Sequence, residues 1–332
     1  MNDAESKRII LVVGSGRSGT SAIAKALEIF GVSLGNNLMP AKENVNDKGF
    51  WEDLDFYNFN KEFYDSMNFE WNSLRLVDFD NFSFEEKNEW SARAKKILEN
   101  KLSSVKIFGV KDPQLTRLLP FWMDVFRKSS LEDGYVIACR NPKSVAHSLA
   151  KHSGMSIEKS YVIWFVYTLM SLVYTKGKPR LVVSYENMLQ NPQKQLMRIS
   201  NCLKLDFQPE GDLSRMYSQE FLDKNLSHHE LHFDTSLESL GVPKECIHLY
   251  NEVMNFASDI SSIDDSESVV EIDRLWENYI NNSFLLNCAQ RMEEELVATR
   301  EILRERTEEL VATREILRER TERLEEISKR KS

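Results

Sequence analysis

Short apolar runs rich in β-branched residues punctuate the chain at Arg8–Val13, Val105–Val110, Tyr135–Cys139 and Arg180–Ser184. Continuous runs of this length, ended by glycine or polar residues, predict strands buried on both faces. Elsewhere apolar residues recur every three or four positions, which predicts helices over Ser21–Phe30, Phe84–Leu102, Pro142–Lys151, Ile157–Lys176 and Pro192–Leu203. Strands alternating with helices predict an α/β fold around a central parallel sheet.

The pattern changes late. Residues 291–332 contain no Gly, Pro or aromatic residue, and 23 of these 42 positions are charged. EELVATREILRERT at Glu294–Thr307 recurs at Glu308–Thr321, and Leu296, Leu303, Leu310, Leu317 and Leu324 repeat every seven residues. That is a coiled-coil signature. Its second seam position, starting at Thr299, reads Thr, Arg, Thr, Arg and then Ile327. The stripe predicts self-association or a partner helix; the alternative is a lone solvated helix laced by pairs such as Glu301–Arg304. Ser258–Glu267, rich in Ser and Asp, reads as a loop before a last helix that leads into the tail. The chain thus reads as a body, residues 1–280, and a C-terminal long helix or coiled coil, residues 281–332.

Composition narrows the partners. With 43 basic and 52 acidic residues the net charge is -9, which argues against a nucleic-acid binder or a polybasic membrane-surface protein. The tail's 11 basic and 12 acidic residues nearly cancel, so the acidity belongs to the body. An anionic ligand is still admissible, since a few arginines in one pocket suffice. Cys139, Cys202, Cys246 and Cys288 lie far apart without CxxC spacing, which predicts reduced thiols and a cytoplasmic location. The run Ile9–Val13 is too short for a signal-peptide core or a membrane span, and no other segment predicts one.

The strongest chemical signal is RIILVVGSGRSGTSAIAKAL near the N-terminus. A strand runs into Gly14-Ser15-Gly16-Arg17-Ser18-Gly19-Thr20-Ser21 and then into a helix. Glycines let the backbone wrap an anion, and the helix N-terminus directs N–H groups and a favourable dipole at it. A Walker-A loop needs Lys after its last glycine; Thr20 stands there, which argues against ATP or GTP hydrolysis. Gly14, Gly16 and Gly19 also spell GxGxxG, but the following stretch GVSLGNNLMP has no strand and no ribose-binding acid.

The loop resembles the 5′-phosphosulfate loop of sulfotransferases that use 3′-phosphoadenosine 5′-phosphosulfate (PAPS), with Arg17 as the basic residue inside the turn. Three further segments are similar to that family in the same order. YVIACRNPKSVAHS at Tyr135–Ser148 carries an arginine at a strand end and a serine eight residues on. GVKDPQLTRLLPFW at Gly109–Trp122 is similar to the KDP segment of tyrosylprotein and bacterial carbohydrate sulfotransferases, with Gln114 where many relatives have Arg. RLVVSYENMLQNPQKQLMRISNCLKL at Arg180–Leu205 is similar to the family's strand–YE(D/N)–helix element.

The resemblance implies a P-loop-like three-layer fold and transfer of a sulfuryl group from PAPS to an acceptor hydroxyl. It assigns Gly16, Arg17, Ser18, Gly19, Thr20 and Ser21 to the 5′-phosphosulfate, and Arg140 and Ser148 to the 3′-phosphate. Arg17 and Lys111 are the expected cations at the moving group. Asp112 is expected to orient structure, as are Tyr185 and Glu186. AKENVNDKGFWEDLDF at Ala41–Phe56 is similar to a Gly-aromatic-aromatic-Glu segment of bacterial sulfotransferases acting on carbohydrates or lipids. Glu52 is therefore the expected general base, with Glu43, Asp53, His152, His228, His229 or His232 as alternatives. Glu52 could instead begin the next helix, and Phe50 and Trp51 could stack on a sugar or pack in the core. The acceptor is expected to be a small molecule or glycan, on a carbohydrate or glycolipid, and no metal is expected. Two other functions stay open: a dinucleotide-binding oxidoreductase, and a non-catalytic PAP-binding module on which the coiled coil assembles.

Overall fold

The four apolar runs pair as β1 (Arg8–Val13), β2 (Ile107–Lys111), β3 (Glu132–Cys139) and β4 (Arg180–Ser184), one parallel sheet in the order β2-β1-β3-β4. β1 is central: Leu11 lies between Val110 and Tyr135, which explains its complete burial. The computed structural model describes residues 7–42, 49–222 and 237–331. By contacts the chain divides into two units, Met1–Ile280 and Asn281–Ser332.

The helices of the first unit are α1 (Thr20–Leu27), α2 (Leu54–Ser66), α3 (Phe84–Lys101), α4 (Leu119–Lys128), α5 (Pro142–Ser153) and α6 (Ile157–Tyr174), followed by α7 (Tyr185–Gln190), α8 (Pro192–Leu203), α9 (Asp212–Met216), α10 (Lys244–Ala257) and α11 (Ser266–Asn281). They cover the sheet on both sides. Ile23 and Leu27 of α1 and Leu196, Ile199 and Leu203 of α8 pack with Ile10, Val12, Val136, Ala138, Leu181 and Val183. On the opposite side α4 and α6 meet β3, and α10 meets β4. Each large aliphatic side chain buried this way stabilises by about 1.5–3 kcal/mol. The α/β three-layer architecture expected from the sequence is present.

The strand order places the site. The chain leaves β1 toward β2 on one side, yet β3 sits on the other side of β1 and leads outward to β4. The order reverses between β1 and β3, and in open α/β sheets such a switch point opens a crevice at the strand C-termini, the usual ligand position.

Element boundaries shift in ways that have causes. β2 runs to Lys111 because Lys111 still pairs with Val12, so this lysine ends a strand rather than following one. β3 starts at Glu132, since the polar Glu132 and Asp133 pair with Arg8 and Ile9. The first helix stays α-helical only to Leu27, then tightens to a 3₁₀ turn at Glu28–Phe30 before Gly31. Helices α2, α4 and α10 add to those expected. Their apolar residues recur at helical spacing, as in Phe56, Phe59 and Phe63 or Leu249, Val253 and Phe256.

The second unit holds one helix, α12 (Ser283–Lys331), 49 residues long. Within it Arg304 pairs with Glu308 at 3.8 Å, one turn on rather than back toward Glu301, and Arg318 pairs with Glu322 at 3.0 Å. The four cysteines are free thiols. Among the described residues no helix is long and apolar enough to cross a membrane.

Candidate active site

The loop after β1 is shaped by close packing at both ends. Gly14 has φ 125°, and a Cβ there would sit 2.6 Å from the Ala138 carbonyl oxygen. Gly19 has φ 83°, and a Cβ there would meet Tyr185 Cδ2 at 2.4 Å. Neither position admits another residue without movement. A Cβ on Gly16 would meet only Pro113 Cβ, at 3.9 Å, so packing leaves open space at the middle of the loop. Thr116 Oγ1 accepts from Gly14 N at 3.1 Å and fixes the loop's start.

Several features of the loop call for a ligand. Arg17 adopts φ 70°, a left-handed conformation that costs a non-glycine residue about 1–3 kcal/mol and recurs at functional sites. Ser18 is fully buried, and among the described residues its Oγ has no hydrogen-bond partner. Such an orphan costs about 1–3 kcal/mol. Gly19 supplies no side-chain cap to α1, so the helix N-terminus lacks that partner for its first N–H groups. A bound anion would satisfy Ser18 and the helix end together.

Two arginines meet beside this loop. Arg17 Nε donates to Ser148 Oγ at 2.9 Å, and Arg17 Nη2 lies 3.4 Å from His152 Nε2. Ser148 and His152 are one turn apart on α5 and so share a face. Arg140, just past the end of β3, donates from Nη1 to the Arg17 carbonyl at 3.4 Å, and its guanidinium lies 4.6 Å from the Tyr185 ring centroid. Among the described residues Arg140 forms no ion pair. Burial and the neighbouring Arg140 lower the Arg17 pKa; burial and Arg17 lower that of His152. Positive charge is crowded here, and an anion would relieve it.

The scaffold around Arg140 is braced. Asn141 caps α5 by accepting from Lys143 N and Ser144 N, with Pro142 in the first helical turn. Glu186 accepts from Asn141 N at 3.1 Å and from Ser184 Oγ at 2.8 Å, tying the ends of β3 and β4 together. This is the structural part expected of Glu186. Tyr185 does more than that, since it forms the shelf under Arg140 and sets the limit on Gly19.

Across the crevice, at the end of β2, the chemistry differs. Lys111 Nζ and Glu52 Oε1 form a buried ion pair at 2.5 Å. Phe50 O accepts from both Lys111 Nζ, at 3.0 Å, and Ser21 Oγ, at 3.2 Å, so the Phe50–Glu52 turn is held from the start of α1 and from β2 at once. Trp51 is left-handed at φ 59°, with its ring 6.0 Å from Phe221 and 4.3 Å from Lys25 Nζ. Beside the pair, Asp112 accepts from Asn60 Nδ2 at 2.8 Å and Gln114 N at 2.9 Å, and Trp122 Nε1 donates to Asn60 Oδ1 at 2.8 Å. Burial first, and the Glu52 carboxylate second, push the Asp112 pKa up to about 7.

The alternatives for the base separate cleanly. Asp53 is the N-cap of α2, accepting from Asp55 N at 3.0 Å and Phe56 N at 3.4 Å, and it pairs with Lys101 at 2.6 Å. Its oxygens are spent on structure, and Glu52 precedes the cap rather than beginning the helix. His152 lies with Arg17, away from the Lys111–Glu52 pair in bonding terms. Glu43, His228, His229 and His232 fall outside the described residues. Thr116, Asn60 and the Tyr185 shelf were not legible as site residues; each acts through a partner at least 45 positions away. The dinucleotide reading loses ground, because the strand beside β1 on this side is β2, which ends in Lys111 rather than a ribose-binding acid.

No protein-family model matches the chain, and no curated protein does. Among solved structures it is similar to the sulfotransferase domain of the Synechococcus PCC 7002 olefin synthase, at 15% identity and TM-score 0.40, over 75% of this chain and 95% of that one. It is similar to the sulfotransferase domain of the curacin biosynthetic pathway at 16% identity and TM-score 0.37, covering 76% and 99%. A sulfotransferase from Mycobacterium tuberculosis aligns at 13% identity and TM-score 0.36, covering 75% and 77%.

Proposed function

We propose that the chain is a PAPS-dependent sulfotransferase, and that its body, residues 1–280, is the catalytic domain. One observation carries the reading: Arg17, Ser148 and Arg140 meet beside a glycine loop whose buried Ser18 hydroxyl lacks a partner among the described residues. This donor set suits a ligand with two separate anionic groups. Loop N–H groups at Gly16–Ser21, with the Ser18 and Thr20 hydroxyls, would hold the 5′-phosphosulfate. Arg140 and Ser148 would hold the 3′-phosphate, where an arginine fork and a hydroxyl are suitable donors. PAPS supplies the sulfuryl group; everything else required is positioning and charge.

Transfer forms a bond between the acceptor oxygen and sulfur, breaks the sulfur–oxygen bond to PAP, and releases the acceptor proton. Glu52 takes that proton at a carboxylate oxygen, and Lys111 and Arg17 balance charge on the departing oxygen. Glu52 is held by Lys111, so an anion that draws Lys111 toward itself also frees the base. Ser21 supports the turn carrying Glu52 through Phe50 O, a positioning part in addition to anion binding.

The acceptor we favour is a hydroxyl on a carbohydrate or glycolipid, supported by the resemblance of Gly49-Phe50-Trp51-Glu52 to sulfotransferases of that kind. Free cysteines support a reducing, cytoplasmic setting. The exposed leucines of α12 support association of the tail with another helix. The test is transfer of radiolabelled sulfate from PAPS to a panel of sugar, lipid and phenol acceptors. Label on a sugar or glycolipid is expected. Tight PAP binding with no transfer to any acceptor would instead leave a non-catalytic PAP-binding module.

A further inference from the structure

The tail raises a question that the catalytic reading does not touch: what covers its leucines. Leu296, Leu303, Leu310 and Leu317 are 50%, 58%, 70% and 58% exposed along one line of α12. The leucines recur without a break every seven residues, whereas the exposed Val297, Ile302, Val311 and Ile316 beside them alternate with Arg304, Arg318, Glu295 and Glu309, a pattern that fits a helix partner better than a lipid surface, which needs a broad apolar face. We propose that its occupant is the tail of a second copy of this chain, aligned parallel and in register, with the leucines at heptad position a.

Three observations carry the choice. The first is charge. With Leu296 and Leu310 at a, Glu295 and Glu309 fall at g, and Arg300 and Arg314 fall at e of the following heptad. In a parallel pair, g of one helix faces the next e of the other. Glu295 therefore meets Arg300 of the partner and Glu309 meets Arg314, each twice by symmetry. Placing the leucines at d instead sets Thr299 against Arg304 and Arg306 against Val311, with no attraction.

The second is that these four residues are uncommitted. Among the described residues Glu295, Arg300, Glu309 and Arg314 form no ion pair within the chain, whereas Arg304 and Arg318 are paired to Glu308 and Glu322 on the same helix. The third concerns the weak second seam position. Thr299 and Thr313 donate their hydroxyls to the Glu295 and Glu309 carbonyls at 2.8 Å. That satisfies the polar atom locally and leaves the methyl for the seam. Only Arg306 and Arg320 then oppose their own copies at d, which weakens the pair without changing its direction. An antiparallel arrangement sets leucine layers against the Thr and Arg layers and brings Glu309 against Glu309.

The test uses the full chain and sedimentation equilibrium over a range of concentrations. Dimers are expected. Glu295→Arg with Glu309→Arg should weaken dimerisation at least about tenfold, and adding Arg300→Glu with Arg314→Glu should restore it. Arg306→Leu with Arg320→Leu should tighten it. Leu296→Cys in a Cys288→Ser background should cross-link under mild oxidation, because parallel register brings the two residues together; antiparallel helices would hold them about 40 Å apart. A monomer at every concentration overturns the proposal. So does a dimer unaffected by the charge reversals, or one that resists restoration or cross-linking. Helix content followed by circular dichroism distinguishes a lost interface from an unfolded tail.

Discussion

The two sides of the crevice hold their cations in opposite ways. At the ends of β1 and β3, Arg17 and Arg140 lie side by side with a serine, a histidine and an aromatic ring, and Arg140 has no described counter-ion. At the end of β2, Lys111 is fully engaged by Glu52 and a carbonyl. The first arrangement crowds two cations, and Arg140 can take an anion without giving up an ion pair among the described residues. The second is satisfied and must open before it can act. A site that binds first and reacts afterwards needs both, and the Phe50 carbonyl links them, since it accepts from Ser21 on one side and Lys111 on the other.

The sharpest way to separate the two sides is to remove chemistry without removing binding. Glu52→Gln should lower turnover by about 10²–10⁴-fold, the usual worth of a general base, with PAP affinity unchanged. Steady-state transfer kinetics beside PAP titration decides this, and undiminished turnover would reduce the Lys111–Glu52 pair to scaffold. Arg140→Ala should do the reverse, weakening PAP binding by roughly 10- to 100-fold through loss of a charge-assisted contact. Calorimetric titration measures it, and an unchanged affinity would put the anion elsewhere.

Smaller effects probe the supports. Gly19→Ala forces a methyl against Tyr185 and should cost about 1–3 kcal/mol of stability while disturbing the Arg140 shelf. Denaturant unfolding with and without PAP reads both losses. The smallest effect is on pH dependence. Because the native Asp112 pKa is raised from 3.8 to about 7, the folded chain holds a proton between those values that the unfolded chain has released. Stability from this group is therefore present at acid pH and lost as pH rises toward about 7. Asp112→Asn should flatten that slope in melting experiments at pH 5–8, even though the amide lowers stability somewhat by facing Asn60.

Much of this was legible in the sequence because it is local. The strands Arg8–Val13 and Arg180–Ser184 and the helix Pro192–Leu203 follow from runs and periods within a few residues. The glycine loop is legible for the same reason: Gly14 and Gly19 need their positive φ for the turn itself. Arg140 and Ser148, separated by two helical turns, could be related by spacing alone. The partner Ser148 takes could not. Its hydroxyl receives Arg17, which is 131 positions away. Lys111 and Glu52, 59 apart, meet only because β2 comes to lie beside β1 after a long excursion. Trp51 in a left-handed conformation has no sequence signal, since that region normally calls for glycine or asparagine. Side-chain partners set by the fold are what spacing rules leave out.

The most direct measurement is thermal melting of the full chain with PAP, NAD and ATP, each in wild type and Arg140→Ala. PAP should raise the wild-type midpoint, corresponding to about 2.7 kcal/mol at a hundredfold excess over the dissociation constant, and at the same PAP concentration the shift should fall to about half or less in Arg140→Ala. A shift with NAD or ATP and none with PAP would contradict the sulfotransferase assignment.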